Sequence, residues 1–180
     1  SPNAINRLEN YDPIWPIPKI FQISKKGKVN FKLFEGSTIN TPSMLCFEDI
    51  LDSLLWVKSI GGIKKTIKLS KNNLKAVENH ISNSSWLEFL AENEKNRSCT
   101  SICLKIKENC YNKINIEDFE NKLKNLISYL ENENIAYDIS SYRDAPLGIR
   151  IWGGATVNEE DIKILLEWLE WGYNNFILNK

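Results

Sequence analysis

From Tyr142 to Gly154 the chain reads YRDAPLGIRIWGG. Arg143 and Arg150 stand seven positions apart in this stretch, with a proline and a glycine between them. Residues 148–152 form an apolar run that predicts a strand, so one arginine is expected on a loop and the other on the strand. Arginine binds carboxylate and phosphate in a two-pronged geometry. The pair is therefore a candidate clamp for a small anion, and two surface salt bridges are the alternative.

The sequence around this stretch predicts a small α+β domain. Residues 99–106 alternate like a strand, Asn115 is placed to cap a helix, and residues 135–139 form a short apolar run. Asn158 is placed to cap a last helix, which begins with three acidic residues. The order strand, helix, strand, strand, helix predicts helices packed on one face of a sheet. The predicted core faces of the two helices are Phe119, Leu123, Leu126, Ile127 and Leu130, and Ile162, Leu165, Leu166, Leu169 and Tyr173.

The first part of the chain gives weaker patterns. The first forty residues are predicted to be irregular apart from two strands, 19–23 and 29–34, with a turn between them. Thr41 and Pro42 predict a helix start, because a hydroxyl cap precedes proline at the first helical position. Gly61-Gly62 is expected to end or interrupt that helix, and a second helix is predicted over 63–81. The apolar positions predicted to face inward are Phe47, Ile50, Leu51, Leu54 and Leu55 in the first helix, and Ile67, Leu74, Val77 and Ile81 in the second.

Composition and charge exclude several classes of function. Lys and Arg together number 23, as do Asp and Glu, so the 180-residue chain has no net charge to attract nucleic acid or a membrane surface. No apolar run approaches the length of a membrane span, no signal-peptide pattern opens the chain, and we expect a cytoplasmic protein. One histidine and four cysteines without a Cys-x-x-Cys pair predict no metal site and free thiols. Because Ser1 stands where a methionine would open a chain, we expect that the natural beginning is missing or was removed.

Asn40 and Thr41 form a second candidate for anion binding. They stand at the predicted start of a helix, where unpaired N–H groups and partial positive charge attract phosphate. The asparagine amide and the threonine hydroxyl would add side-chain donors. Ordinary capping by Thr41 is the alternative explanation of this pattern.

Several segments in the same order along nearly all 180 positions resemble one family, the phosphoserine aminotransferases. The form is the one found in alphaproteobacteria and some archaea, a class V, fold-type I group. The matching segments are residues 7–9, 15–21, 34–36, 40–43, 61–62 and 142–150. The resemblance implies the C-terminal portion of an α/β enzyme. Residues 1–70 would be the end of the large cofactor-binding domain, and residues 71–180 a connecting helix and the small α+β domain.

The resemblance also implies an activity. The family interconverts 3-phosphohydroxypyruvate and glutamate with phosphoserine and 2-oxoglutarate in serine biosynthesis, as a homodimer with shared active sites and pyridoxal 5'-phosphate as cofactor. Asn40 and Thr41 match the pair that contacts the cofactor phosphate from the neighbouring subunit. Arg150 matches the arginine that holds the substrate α-carboxylate. Arg143 matches an arginine that helps bind the substrate phosphate across the dimer interface, and Tyr142 stands where many members have histidine.

No residue of this chain matches the lysine that forms the Schiff base with pyridoxal phosphate. In the family this lysine lies in the first half of the protein, so it would precede Ser1, and Lys19 matches no family lysine site. Because a lysine must tether the cofactor, we expect the chain to be inactive alone. Two alternatives stay open: a related transaminase that acts on another small acid, and a non-catalytic α+β binding or assembly module.

Overall fold

A computed structural model describes residues 1–110 and 114–178 of the chain. It divides after Leu55 into two compact units, and the second begins at Trp56. Helices and strands mix in both units, as the sequence predicted. The assignment of residues 1–70 to a large domain and 71–180 to a small domain stays a prediction. Within the described residues, no helix has the length and apolarity needed to cross a bilayer.

The first unit contains one helix, a small hairpin and most of a second helix, which ends beyond Leu55. The elements are helix α1 (Pro2–Asn10), strands β1 (Ser24–Lys25) and β2 (Lys28–Val29), helix α2 (Met44–Ser59), and two 3-10 turns at Lys19–Phe21 and Phe31–Glu35. The prediction of an irregular start missed α1, although its signals are present. The Ser1 hydroxyl accepts from the Ala4 N–H at 3.3 Å, and Pro2 stands in the first turn.

The strand predicted over 19–23 was wrong throughout, and the strand predicted over 29–34 is correct only at Val29. The predicted turn is confirmed, because Lys26 and Gly27 both have positive φ and join β1 to β2. Such a two-residue turn closes a hairpin tightly. The hairpin keeps only two residues in each strand, since the 3-10 turns take up residues 19–21 and 31–35 on either side.

Helix α2 starts later than the sequence predicted. The cap is Ser43 rather than Thr41: the Ser43 hydroxyl accepts from the Cys46 N–H at 3.5 Å, and its carbonyl accepts from the Phe47 N–H at 3.2 Å. Pro42 therefore precedes the cap. The apolar residues predicted to share one face of α2 do lie in a helix. The prediction that this face is buried was wrong. Phe47 is 60% exposed, and its four companions are exposed as well, because nothing in the first unit packs on that face.

The glycine pair separates two helices, as predicted. Helix α2 ends at Ser59, and helix α3 (Gly62–Ile81) follows directly. Gly61 and Gly62 have φ of +111° and +74°, which favour glycine. In α3, Val77 and Ile81 are buried and Leu74 packs against the core, as predicted. The inward placement of Ile67 was wrong, because that side chain is exposed.

The second unit is built on a three-stranded antiparallel sheet. Its strands are β3 (Leu87–Phe89), β4 (Ser101–Ile106) and β5 (Gly148–Trp152), with β4 in the centre. The predicted β5 is confirmed residue for residue, whereas β3 was missed. The strand predicted over 135–139 was wrong. Asn134 and Asp138 have φ of +58° and +52°, which break an extended run, and only Ser140 bridges to β5.

One face of this sheet packs against helices. Alternate residues of β4 and β5 are buried with the inner faces of α3, helix α4 (Ile116–Asn132) and helix α5 (Glu159–Gly172). The predicted core faces of α4 and α5 are confirmed. Asn115 caps α4 as predicted, because its Oδ1 accepts from the Asp118 N–H at 2.9 Å. Asn158 stands at the start of α5, but its side chain donates to the Asp161 carboxylate instead of capping a backbone N–H.

A buried asparagine joins α3 to the loop that follows β5. The Asn73 side chain, in a residue that is 1% exposed, donates to the carbonyls of Gly153, Gly154 and Val157 at 3.1, 3.3 and 3.0 Å. A carbonyl buried without a partner costs free energy. The Asn73 amide therefore supplies hydrogen bonds to loop carbonyls that apolar packing could not stabilise.

Replacing Asn73 by alanine is expected to lower the free energy of unfolding by about 1–3 kcal/mol, because buried carbonyls lose their donor. Urea denaturation of this chain measures the change. Asn72→Ala is the matched control, since it makes the same exchange at an exposed position of the same helix. Equal stability of the two variants would show that the three hydrogen bonds contribute nothing.

Candidate functional site

Strand β5 carries Arg150 on the face of the sheet that the helices do not cover. Ile149 and Ile151 point into the core, and strand alternation places Arg150 on the opposite face, paired in register with Cys103. Gly148 makes this close pairing possible. A Cβ there would lie 2.0 Å from the Leu104 carbonyl oxygen, so only glycine fits. The glycine and the arginine of the sequence stretch thus have distinct roles.

Arg150 is held by two neighbours. Its Nη2 donates to the Asp138 carboxylate at 2.7 Å and to the Asp138 carbonyl at 3.2 Å. Its Cζ lies 4.7 Å from the centre of the Tyr142 ring, which is a cation–π distance. Asp138 reaches this position from the irregular segment before β5, where its φ of +52° turns the chain. The guanidinium is therefore oriented before any ligand arrives.

The electrostatics of Arg150 keep it charged. Its hydrogen bond with Asp138 raises the pKa of the guanidinium above its ordinary value, and the remaining exposure limits the opposing effect of burial. The Nε atom is out of solvent and has no hydrogen-bond partner in the described residues. A permanently cationic guanidinium can bind a carboxylate or a phosphate.

The structure brings Tyr142 to Arg150, and Arg143 lies on the turn beside Tyr142. The Ala145 N–H donates to the Tyr142 carbonyl at 3.0 Å, which forms a turn that exposes both Tyr142 and Arg143. Arg143 and Tyr142 line a groove of about 450 Å³ against α4, together with Lys124, whereas Arg150 is not part of its lining. The groove is therefore lined by one arginine of the pair, and the clamp of two arginines stays a prediction.

Asn40 and Thr41 lie in the first unit. Both are exposed in the loop before α2, and the Thr38 hydroxyl donates to the Asn40 carbonyl at 2.8 Å. Because Ser43 caps the helix, the Thr41 hydroxyl is not used for capping. Within residues 1–110 and 114–178, neither side chain has a hydrogen-bond partner, so both can donate to an anion near the N-terminus of α2.

No pattern in the sequence indicated that Asp138 belongs to the site. Twelve residues separate it from Arg150, and it stands inside a run that was predicted as a strand. An aspartate with positive φ is uncommon, but this conformation is visible only in the fold. The described residues contain no cluster of three or more metal-ligating side chains.

Solved structures define the class of fold. One neighbour is the phosphoserine aminotransferase from Bacillus circulans subsp. alkalophilus, with a TM-score of 0.61 and 16% identity, over 79% of this chain and 36% of that one. Another is a phosphoserine aminotransferase studied for radiation damage of its Schiff base, with a TM-score of 0.65 and 17% identity, over 86% and 40%. The mixed α/β fold is that of part of an aminotransferase, as predicted from the sequence.

Curated relatives give the particular family. The phosphoserine aminotransferases of Methanosarcina mazei and Methanosarcina barkeri are 51% and 52% identical to this chain over 174 residues. The match covers 97% of the chain but only 44% of each relative, so the chain spans less than half of their length. No protein-family model matches. Over nearly its whole length, the chain is a homologue of phosphoserine aminotransferases, and the resemblance drawn from the sequence is confirmed.

The thiol of Cys103 can report on the charge of Arg150, because the two residues are paired in register on neighbouring strands. The Cβ atoms of such a pair lie about 5 Å apart. Anionic iodoacetate is expected to alkylate Cys103 about threefold faster, relative to neutral iodoacetamide, than it does in an Arg150→Gln variant. Peptide mass spectrometry measures the two rates. The exposed Cys46 is the internal control, and its ratio should not change. An unchanged ratio at Cys103 would mean that Arg150 attracts no anion at this face.

Proposed function

We propose that this chain is the C-terminal part of a phosphoserine aminotransferase. The complete protein would interconvert 3-phosphohydroxypyruvate and glutamate with phosphoserine and 2-oxoglutarate, in serine biosynthesis. The observation that carries the proposal is the identity of half of the residues over 174 positions to proteins of that name. This identity also disfavours the alternative of a non-catalytic module.

In this proposal Arg150 binds the α-carboxylate of the substrate. Two features of the chain support the assignment: the open face of the sheet, and the guanidinium oriented by Tyr142 and Asp138. Bidentate pairing gives both affinity and a fixed direction, which transamination needs at the α-carbon. The same residue would serve both amino-acid substrates, since each carries an α-carboxylate.

Arg143 is proposed to bind the phosphate of the substrate, with Tyr142 beside it. Arg143 is exposed at the tip of a turn and has no ion pair with any described residue. An exposed loop arginine suits a contact made across a subunit boundary, and we propose a homodimer in which each subunit completes the other's site. We also propose that the complete protein works in the cytoplasm.

Asn40 and Thr41 are proposed to hold the phosphate of pyridoxal 5'-phosphate. The residues fit this group, because two side-chain donors without partners stand near the start of α2, where the helix dipole favours an anion. When bound, the cofactor supplies the electron sink for transamination. This chain would contribute the anchoring of that phosphate and the orientation of the substrate carboxylate.

Replacing Arg143 by glutamine in the complete protein is expected to raise the KM for phosphoserine by about ten- to a hundredfold, because a charge-assisted hydrogen bond to phosphate is lost. The KM for unphosphorylated serine should stay unchanged. Coupled assay of glutamate formation from 2-oxoglutarate measures both. Lys163→Gln removes an exposed cation of α5 and is the control. An equal loss with both substrates would contradict a phosphate role and favour a transaminase for another acid.

The chain by itself is proposed to be inactive, because the lysine that tethers the cofactor is not assigned to any of its residues. Borohydride treatment with one equivalent of pyridoxal phosphate should leave its mass unchanged. Addition of the remaining part of the protein should restore both cofactor retention and transamination. Stoichiometric labelling of one lysine in the isolated chain would overturn this proposal.

A further inference from the structure

The hydrogen bonds of Arg150 leave it unable to bind a ligand carboxylate with two bonds. A guanidinium offers two paired edges, Nη1–Nη2 and Nε–Nη2, and both include Nη2. Nη2 has two hydrogens, and it donates to two oxygens of Asp138, the carboxylate at 2.7 Å and the carbonyl at 3.2 Å. A bidentate ligand therefore needs Asp138 to release at least one of these bonds.

Asp138 can move at low cost. Its side chain is 84% exposed, whereas that of Arg150 is 23% exposed, so departure of the aspartate returns one carboxylate to water. Ion pairs at such exposure contribute little to stability. Because Nε is out of solvent, a carboxylate that replaced Asp138 on Nη2 would pair with the Nη1–Nη2 edge. The exchange thus trades one exposed hydrogen bond for a two-pronged pair.

We propose that Asp138 is an internal placeholder, whose carboxylate occupies the position on Arg150 that the ligand carboxylate takes. It keeps the guanidinium oriented and partly neutralised until a substrate displaces it. Asp138 is a positioning residue that acts through Arg150 and also competes with the ligand. This inference rests on the proposed function of Arg150 as a carboxylate anchor.

The placeholder role makes an unusual prediction: removing the charge of Asp138 tightens binding. Asp138→Asn in the complete protein should bind glutarate, a simple dicarboxylate, about two- to fivefold more tightly, because an exposed ion pair no longer competes. The KM for phosphoserine should fall by the same factor. Calorimetry measures the first quantity without catalysis. Asparagine adopts positive φ readily, and Asp138→Gly is a second variant for the same test.

Two controls separate the placeholder from other effects. Glu133→Gln neutralises an exposed carboxylate a few residues away and should leave glutarate binding unchanged. Arg150→Lys should weaken binding, because lysine cannot form the two-pronged pair. If Arg150→Lys binds like the wild type, the anchor role itself is wrong. If it binds more weakly but Asp138→Asn shows equal or weaker affinity than the wild type, the placeholder is wrong and the anchor stands.

The glutarate measurements have further possible outcomes. Measurable glutarate binding by Asp138→Asn, where the wild type shows none, supports the placeholder. No binding by any variant, or the same gain in Glu133→Gln, overturns it. A wild type that binds glutarate through Arg150 but does not transaminate phosphoserine would refute the proposed function and leave the placeholder in place.

Discussion

The antiparallel pairing of β4 with β5 is the interaction on which the second unit depends. It is possible only because Gly148 has no Cβ, since a Cβ at this position would lie 2.0 Å from the Leu104 carbonyl oxygen. The pairing directs Ile149 and Ile151 into the core and leaves Arg150 on the uncovered face. At the end of β5, Asn73 satisfies the carbonyls of the loop that leads to α5. One strand therefore contributes both to the core and to the uncovered face that carries Arg150.

The uncovered face of the sheet carries a charge that is restrained by its neighbours. Arg150 gains orientation from Asp138 and Tyr142, and the same bonds occupy the atom that a ligand needs. The bonds that orient the guanidinium therefore also make its Nη2 atom unavailable to a ligand. Exposure of the Asp138 side chain keeps the competition weak, since a carboxylate that is largely in water loses little when it leaves. An apolar partner could have oriented the guanidinium, but it would not have neutralised it.

Much of the second unit could be predicted because its signals are local. The alternation in β5, the apolar stripes of α4 and α5, and the cap of α4 are each contained in a few residues. The failures are non-local: the run before Asp138 looked like a strand until positive φ values broke it. The apolar face of α2 was predicted as buried because periodicity does not show what covers a face. Arg150 stood out in the sequence, whereas Asp138 depends on a contact that only folding creates.

In the proposed function, Arg150 anchors the substrate carboxylate of a phosphoserine aminotransferase to which this chain contributes its C-terminal part. A crystal structure of the complete protein with phosphoserine bound tests this claim most directly. The account predicts that the α-carboxylate lies within hydrogen-bond distance of Arg150 Nη2 and that the Asp138 carboxylate has moved away. A structure in which Arg150 still pairs with Asp138, while another residue holds the α-carboxylate, would contradict it.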